Sequence, residues 1–215
     1  TTHYELARLL LQQGRHVLVE KPMTERGDQA GELVQLAQQH GCILQVGHVE
    51  RFNPVFHYLQ TVATEPRFIE AHRLSPYPAR STDIGVVLDL MIHDLDVVLA
   101  FVKSPVTSVD AVGIPVLSKS EDIANARLRF ANGCVANLTA SRTSTASLRR
   151  LRVFQHHEYI SVDFGDRRIG ISRRREALIE GEEPIDTETV QQPPGDALMT
   201  EIVAFVAAVR DGTKP

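Results

Sequence analysis

The chain has 215 residues, 43% of them hydrophobic and 23% charged, with a formal net charge of −4, a composition that excludes an intrinsically disordered chain as the overall class and supplies apolar surface for one large or two modest cores. No stretch reaches the roughly 20 apolar residues that span a bilayer, and the opening TTHYELARLL lacks the zones of a signal peptide, so a cytoplasmic protein with no membrane partner is expected. Arginines such as Arg149, Arg150, Arg173, Arg174 and Arg175 are scattered among acids, which argues against nucleic acid as a partner, and Cys42 and Cys134 lie in apolar segments where reduced, structural thiols are expected.

From Thr2 to Gln13 the apolar residues Leu6, Leu9 and Leu10 recur at helical spacing, and Gly14 follows where a helix-terminating glycine belongs. The short run His16–Val19 then predicts a buried strand that ends in Glu20, Lys21 and Pro22. Thr24 is the expected N-cap of a helix with Ala30, Leu33, Val34 and Ala37 inward, ending near Gly41, and Cys42–Val46 is a second strand. Asn53-Pro54 reads as an N-cap followed by proline at the first helical position, with Val55, Phe56, Leu59 and Val62 facing inward. Helix and strand thus alternate over residues 1–64, the signature of a parallel sheet with helical crossovers.

After Pro66 the pattern changes. Arg67–Leu74 predicts a strand, Ser75–Arg80 a proline-bearing loop, and Ile84–Val102 a long apolar helix. Strict alternation around Ala126, Leu128 and Phe130, and again around Cys134, Ala136 and Leu138, predicts two strands joined at Asn132-Gly133 by a two-residue hairpin turn. Further strands are expected over 151–155, 159–164 and 168–172. Residues 180–195, acidic and containing Pro184, Pro193 and Pro194, read as a loop, and a final helix offers Leu198, Ile202, Phe205, Val206 and Val209 as the face that docks. The expected class is α/β plus α+β: part of a Rossmann domain over 1–64, a mostly antiparallel open-sheet domain over 65–195, and a C-terminal helix over 196–215. An antiparallel sheet with an open face commonly buries that face between copies, so a dimer or tetramer is expected.

Asp89 and His93 stand four apart in VLDLMIHDLDVVL, one helical turn from each other in otherwise apolar surroundings. A buried carboxylate and imidazole cost several kcal/mol unless paired or used. They suit a general base with an orienting acid, and a satisfied structural pair is the other reading. A metal site through His93 and Asp94 is disfavoured, because adjacent residues on a helix point about 100° apart. At the strand end, Glu20 and Lys21 occupy the carboxyl edge of a parallel sheet, where ligands bind.

Three motifs in order, GRHVLVEKPMT, VGHVERFNP and DLMIHDLDVVL, resemble the Gfo/Idh/MocA family of nicotinamide-dependent oxidoreductases across essentially the whole chain. The resemblance implies catalytic roles for Lys21, Asp89 and His93 and a cofactor edge formed by Glu20, Lys21, Pro22, His48, Arg51 and His3. The stretch EAHRLSPYPARSTD further resembles a branch acting on nucleotide sugars, with UDP-N-acetylglucosamine oxidised at its 3-position as a lipid A precursor. That implies Arg73 and Arg80 on a diphosphate, Tyr77 stacked on a sugar or base, and Asn125 and Arg142 as further substrate contacts. No G-x-G-x-x-G occurs, so NAD and NADP are not distinguished. The chain starts at Thr1 inside a helical pattern, and the expectation is an N-terminally truncated protein whose first Rossmann strands, about 70–80 residues, precede it. A non-enzymic sugar-binding or regulatory module of the same fold is the alternative function.

Overall fold

The computed structural model describes residues 2–77, 84–175 and 183–213. The chain divides into two compact units, one running through Phe52 and resuming at Asp196, the other spanning Asn53–Gly195. The division falls earlier than position 64 because the helix opened by Asn53 belongs to the second unit, and the C-terminal helix belongs to the first.

In the first unit α1 (His3–Gln12) leads to β1 (Val17–Glu20), α2 (Gly27–Gln39) and β2 (Leu44–Gly47), and β1 pairs in parallel with β2 in the register Val17 to Leu44 through Glu20 to Gly47. A 3-10 turn, Val49–Phe52, follows β2. Ala7, Leu11, Val17, Val19, Leu33 and Ala37 form the core of this unit. Leu33 and Ala37 bury as the helical spacing predicts, but Leu6, Leu9, Leu10 and Val34 stay exposed. Thr24 does not cap α2: its hydroxyl donates to the Arg26 carbonyl at 2.8 Å, and the helix starts at Gly27. The last helix, α5 (Ala197–Asp211), is capped by Asp196, whose Oδ1 accepts from Met199 N–H at 2.9 Å, and packs against the 3-10 turn. Its fully buried residues are Glu201 and Ala208; of the expected docking face Phe205 and Val209 are half-buried, while Leu198, Ile202 and Val206 remain exposed.

The second unit begins with α3 (Pro54–Val62), where Asn53 Oδ1 accepts from Val55 N–H at 3.0 Å as the cap signal predicts, and Val55, Phe56 and Leu59 are buried. Among the described residues a mixed sheet follows in the order β10-β9-β8-β7-β3-β6-β5-β4. Its strands are β3 (Phe68–Leu74), β4 (Val106–Ile114), β5 (Ile123–Phe130), β6 (Val135–Ser141), β7 (Leu148–Gln155), β8 (Glu158–Asp163), β9 (Arg168–Arg174) and β10 (Ile185–Gln191). β3 and β6 pair in parallel, and the other neighbours are antiparallel. Alternate residues of β3, β5, β6, β7, β8 and β9 point to one face and form a continuous core with α3 and α4 (Ile92–Val102).

Two expectations change here. Only Gly133, at φ +84°, is left-handed in the β5–β6 turn, and Phe130 N–H bonds to Cys134 O at 2.9 Å. The connection is therefore a three-residue loop, Ala131-Asn132-Gly133, of the kind that ends in a left-handed glycine. The segment read as a loop over 180–195 contains β10, whose side chains are almost all exposed, so it carries no apolar alternation to reveal it.

Candidate functional site

In the first unit β1 ends at Glu20, and two residues on Pro22 has no N–H to extend the ladder. His3 Nδ1–H donates to the Pro22 carbonyl at 2.8 Å, which fixes that ring nitrogen as the protonated one and ties the start of α1 to the strand end. Glu20 and Gly47 are register partners at the carboxyl edge of the sheet. A Cβ at Gly47 would stand 3.0 Å from Glu20 Oε2, so glycine is what lets that carboxylate fold over the neighbouring strand. Beyond Gly47 the chain turns tightly, with His48 N–H on Val46 O at 2.8 Å and Arg51 N–H on His48 O at 3.0 Å. That turn brings His48 and Arg51 to a cavity of about 370 Å³ along β2, lined also by Leu44, Gln45, Val46 and Phe52.

The residues present fit the nicotinamide half of a dinucleotide site. Two adjacent parallel strands end together, a glycine on one admits the Glu20 carboxylate of the other, and a cavity with a basic and an imidazole side chain lies along β2. Glu201, missed by the sequence reading, belongs to the same unit. It is 1% exposed, and burial, with the charge of Glu20 adding to it, raises its carboxyl above the ordinary glutamate range. Its position among alanines on α5 was the available signal.

In the second unit Asp89 and His93 lie on one continuous helical element that is π-wound over Val87–Met91 and α-helical from Ile92. Single π turns inside helices recur at functional sites, and the wider winding keeps residues four apart on one face. Both side chains are half-buried, so the deeply buried carboxylates of this element are Asp94 and Asp96 instead. Lys103, left-handed at φ +50°, terminates the helix. Among the described residues no group of three or more His, Cys, Asp or Glu side chains is arranged to hold a metal ion.

The substrate candidates are dispersed. Arg73 is 5% exposed and points with Ile69 and Ala71 into the core, where its Nε and Nη2 fork onto Asp94 at 3.0–3.2 Å. Arg142 is 1% exposed and lies 2.7 Å from Asp122 Oδ1. Each of these guanidiniums closes on a carboxylate inside the fold. Asn125 is exposed. It sits on the open face of β5 and donates to Thr139 Oγ at 2.9 Å, whereas its neighbours Ala124 and Ala126 share the core with the Asp89–His93 helix. Tyr77 is 40% exposed, and Arg80 lies outside the described residues.

Comparison with known proteins adds the following. Residues 1–48 match the model of an oxidoreductase family with an NAD-binding Rossmann fold, and residues 61–160 match the GFO/IDH/MocA C-terminal domain. UDP-N-acetylglucosamine 3-dehydrogenase of Acidithiobacillus ferrooxidans is 38% identical over 97% of this chain, which spans 67% of that protein's length. A solved structure of that enzyme superposes with a TM-score of 0.91 over 99% of this chain and 68% of its own. The NAD(+)-dependent scyllo-inositol 2-dehydrogenase of Bacillus subtilis is 26% identical over 67% of this chain and 46% of its own length. Levoglucosan dehydrogenase in complex with NADH, at 16% identity, shares the fold, with a TM-score of 0.84 over 100% of this chain and 69% of its own.

Proposed function

The chain belongs to the Gfo/Idh/MocA family of NAD-binding oxidoreductases, and from that premise we propose that the complete protein oxidises a secondary hydroxyl of a nucleotide sugar, UDP-N-acetylglucosamine at its 3-position. The observation that carries this reading is the half-buried Asp89–His93 pair on a π-to-α helix, in a chain 38% identical to an enzyme named for that reaction. The lipid A precursor role read from the sequence belongs to the same proposal.

His93 takes the hydroxyl proton as the carbon gives up hydride, and Asp89 orients the imidazole and balances the imidazolium. Lys21 supplies a positive charge for the developing alkoxide, an electrostatic contribution of a few kcal/mol in a water-poor site. Glu20, Pro22, His48, Arg51 and His3 line the cofactor edge, with Glu20 on the ribose side and Arg51 on the nicotinamide side. A bound nicotinamide supplies the hydride acceptor. The ketone product carries no new charge, so the proton on His93 is the only one to return to solvent. Tyr77 and Arg80 are the remaining substrate contacts of this reading. The open face of the sheet, with β4 exposed along its length, supports self-association as a dimer or tetramer.

The test is absorbance at the reduced-nicotinamide band, with the complete protein given NAD or NADP and a panel of UDP-sugars and free polyols. Reduction with UDP-N-acetylglucosamine is expected. Turnover on a free polyol alone would move the substrate class, and sugar binding without turnover would favour a non-enzymic module.

A further inference from the structure

We propose, resting on the reading that Asp89 and His93 carry the chemistry, that Glu121 and the Asp122–Arg142 pair are positioning residues that fix the start of their helix, with Arg73–Asp94 fixing it just beyond His93. Arg73 and Arg142, candidate substrate residues in the sequence, each also close on a carboxylate within the second unit.

At the helix start, Val86 N–H donates to the Glu121 carbonyl at 3.0 Å and Val87 N–H to its Oε1 at 3.3 Å. One residue thus satisfies two of the amides that a helix N-terminus leaves unpaired. Gly85 makes this possible, because a Cβ there would overlap the Glu121 carboxylate. Arg142 holds the residue before: its Nη1 donates to the Ile84 carbonyl at 2.7 Å. The same guanidinium donates to Asp122 Oδ1 at 2.7 Å and to the Ser118 and Ser120 hydroxyls at 2.8 and 2.9 Å. Asp122 is fixed in turn by the N–H groups of Val116, Leu117 and Ser118 at 2.5–2.8 Å.

Asp94, next to His93, is forked by Arg73 from β3. Asp89 and His93 therefore lie between two fixed points. The π turn between those points has a looser hydrogen-bond pattern than an α-helix and gains most from being held at both ends. Rotation or sliding of the element would break a buried ion pair and leave a charge without its partner, which is strongly disfavoured. Displacing a reacting group by about 1 Å can cost about 100-fold in rate.

The experiment compares Glu121→Ala, Glu121→Gln, Gly85→Ala and the Gly85→Ala/Glu121→Ala double variant in the complete protein. It measures kcat, KM and amide hydrogen exchange across residues 86–93, with His93→Ala as the reference for the catalytic reading. Glu121→Ala and Gly85→Ala should each lower kcat by about 10-fold with KM changed less than about 2-fold, and should speed exchange over 86–93 while β7–β9 stay protected. Glu121→Gln, which keeps the acceptor for Val87 N–H, should restore most of kcat. The double variant should be no worse than either single one, since both remove the same contact. Wild-type kcat and exchange in Glu121→Ala and Gly85→Ala, or additive losses in the double variant, would overturn the proposal. If His93→Ala keeps full turnover, the catalytic reading fails by itself, and the exchange data decide the anchoring separately.

Discussion

The two units use charge in opposite ways. In the second, the buried charges are architecture: Arg73 is matched to Asp94 and Arg142 to Asp122, each arginine closing on its carboxylate under a core that runs unbroken from α3 to β9. In the first, the core is small, apolar residues of α1 and α5 remain exposed, Glu20 stands at the end of β1 beside Gly47, and His48 and Arg51 line a cavity along β2. The difference teaches where function can reside. The buried ion pairs of the second unit hold the element that carries Asp89 and His93, while the first unit places Glu20 and Gly47 side by side at the carboxyl edge of its parallel sheet.

The contrast is sharpest in turnover. His93→Ala or Lys21→Met in the complete protein should lower kcat by about 10²–10⁴-fold with unfolding midpoints nearly unchanged, measured by nicotinamide absorbance beside thermal melts. Asp94→Asn should act first on stability. It leaves Arg73 buried beside a neutral amide and should destabilise the second unit by about 3–5 kcal/mol in denaturant titration.

Acid should separate the units next. Burial alone would raise the Asp122 carboxyl, but the Arg142 guanidinium and the amides of Leu117 and Val116 outweigh it and hold the group well below the usual carboxylate range. A lowered folded-state pKa contributes stability that is present above the unfolded value, about 3.9, and is lost as pH falls below it. Melts of Asp122→Asn between pH 2 and 7 should therefore show a lower midpoint at neutral pH and a shallower acid limb than the parent chain.

The smallest effect has the opposite sign. Glu201 is raised by burial and by Glu20, so its contribution is fully present below its unfolded pKa and is lost as pH rises through the raised one. Glu201→Gln removes that loss and should raise the melting midpoint of the first unit by about 2–4 °C at pH 7, with no gain at pH 4. A gain that persisted at pH 4 would assign the effect to packing.

Much of this was legible beforehand. The helix-strand alternation through β2, the Asn53-Pro54 cap and the alternation in β5 and β6 are local signals, each carried by residues a few positions apart. The pairing of Arg73 was half legible, because strand alternation places it on the same face as Ile69 and Ala71. Its partner Asp94 is 21 residues away on a different element, and a charge on a core face reads equally well as a ligand contact. β10 was hidden because its side chains are exposed, so its place rests on backbone pairing with β9, which leaves no periodic trace. On α5 the spacing revealed an apolar stripe but not which side of the helix would be covered.

By itself the sequence determined the order of elements, the Glu20-Lys21-Pro22 strand end, the four-residue spacing of Asp89 and His93, and the family those motifs share. Tertiary structure alone decided which charges are committed inside the fold, that Asp94 rather than Asp89 is the buried carboxylate beside His93, and that Glu121 and Arg142 hold the helix start. The reason is one of range: caps, turns and periodicity act over a few residues, whereas a buried charge is defined by its partner, and only the fold chooses the partner.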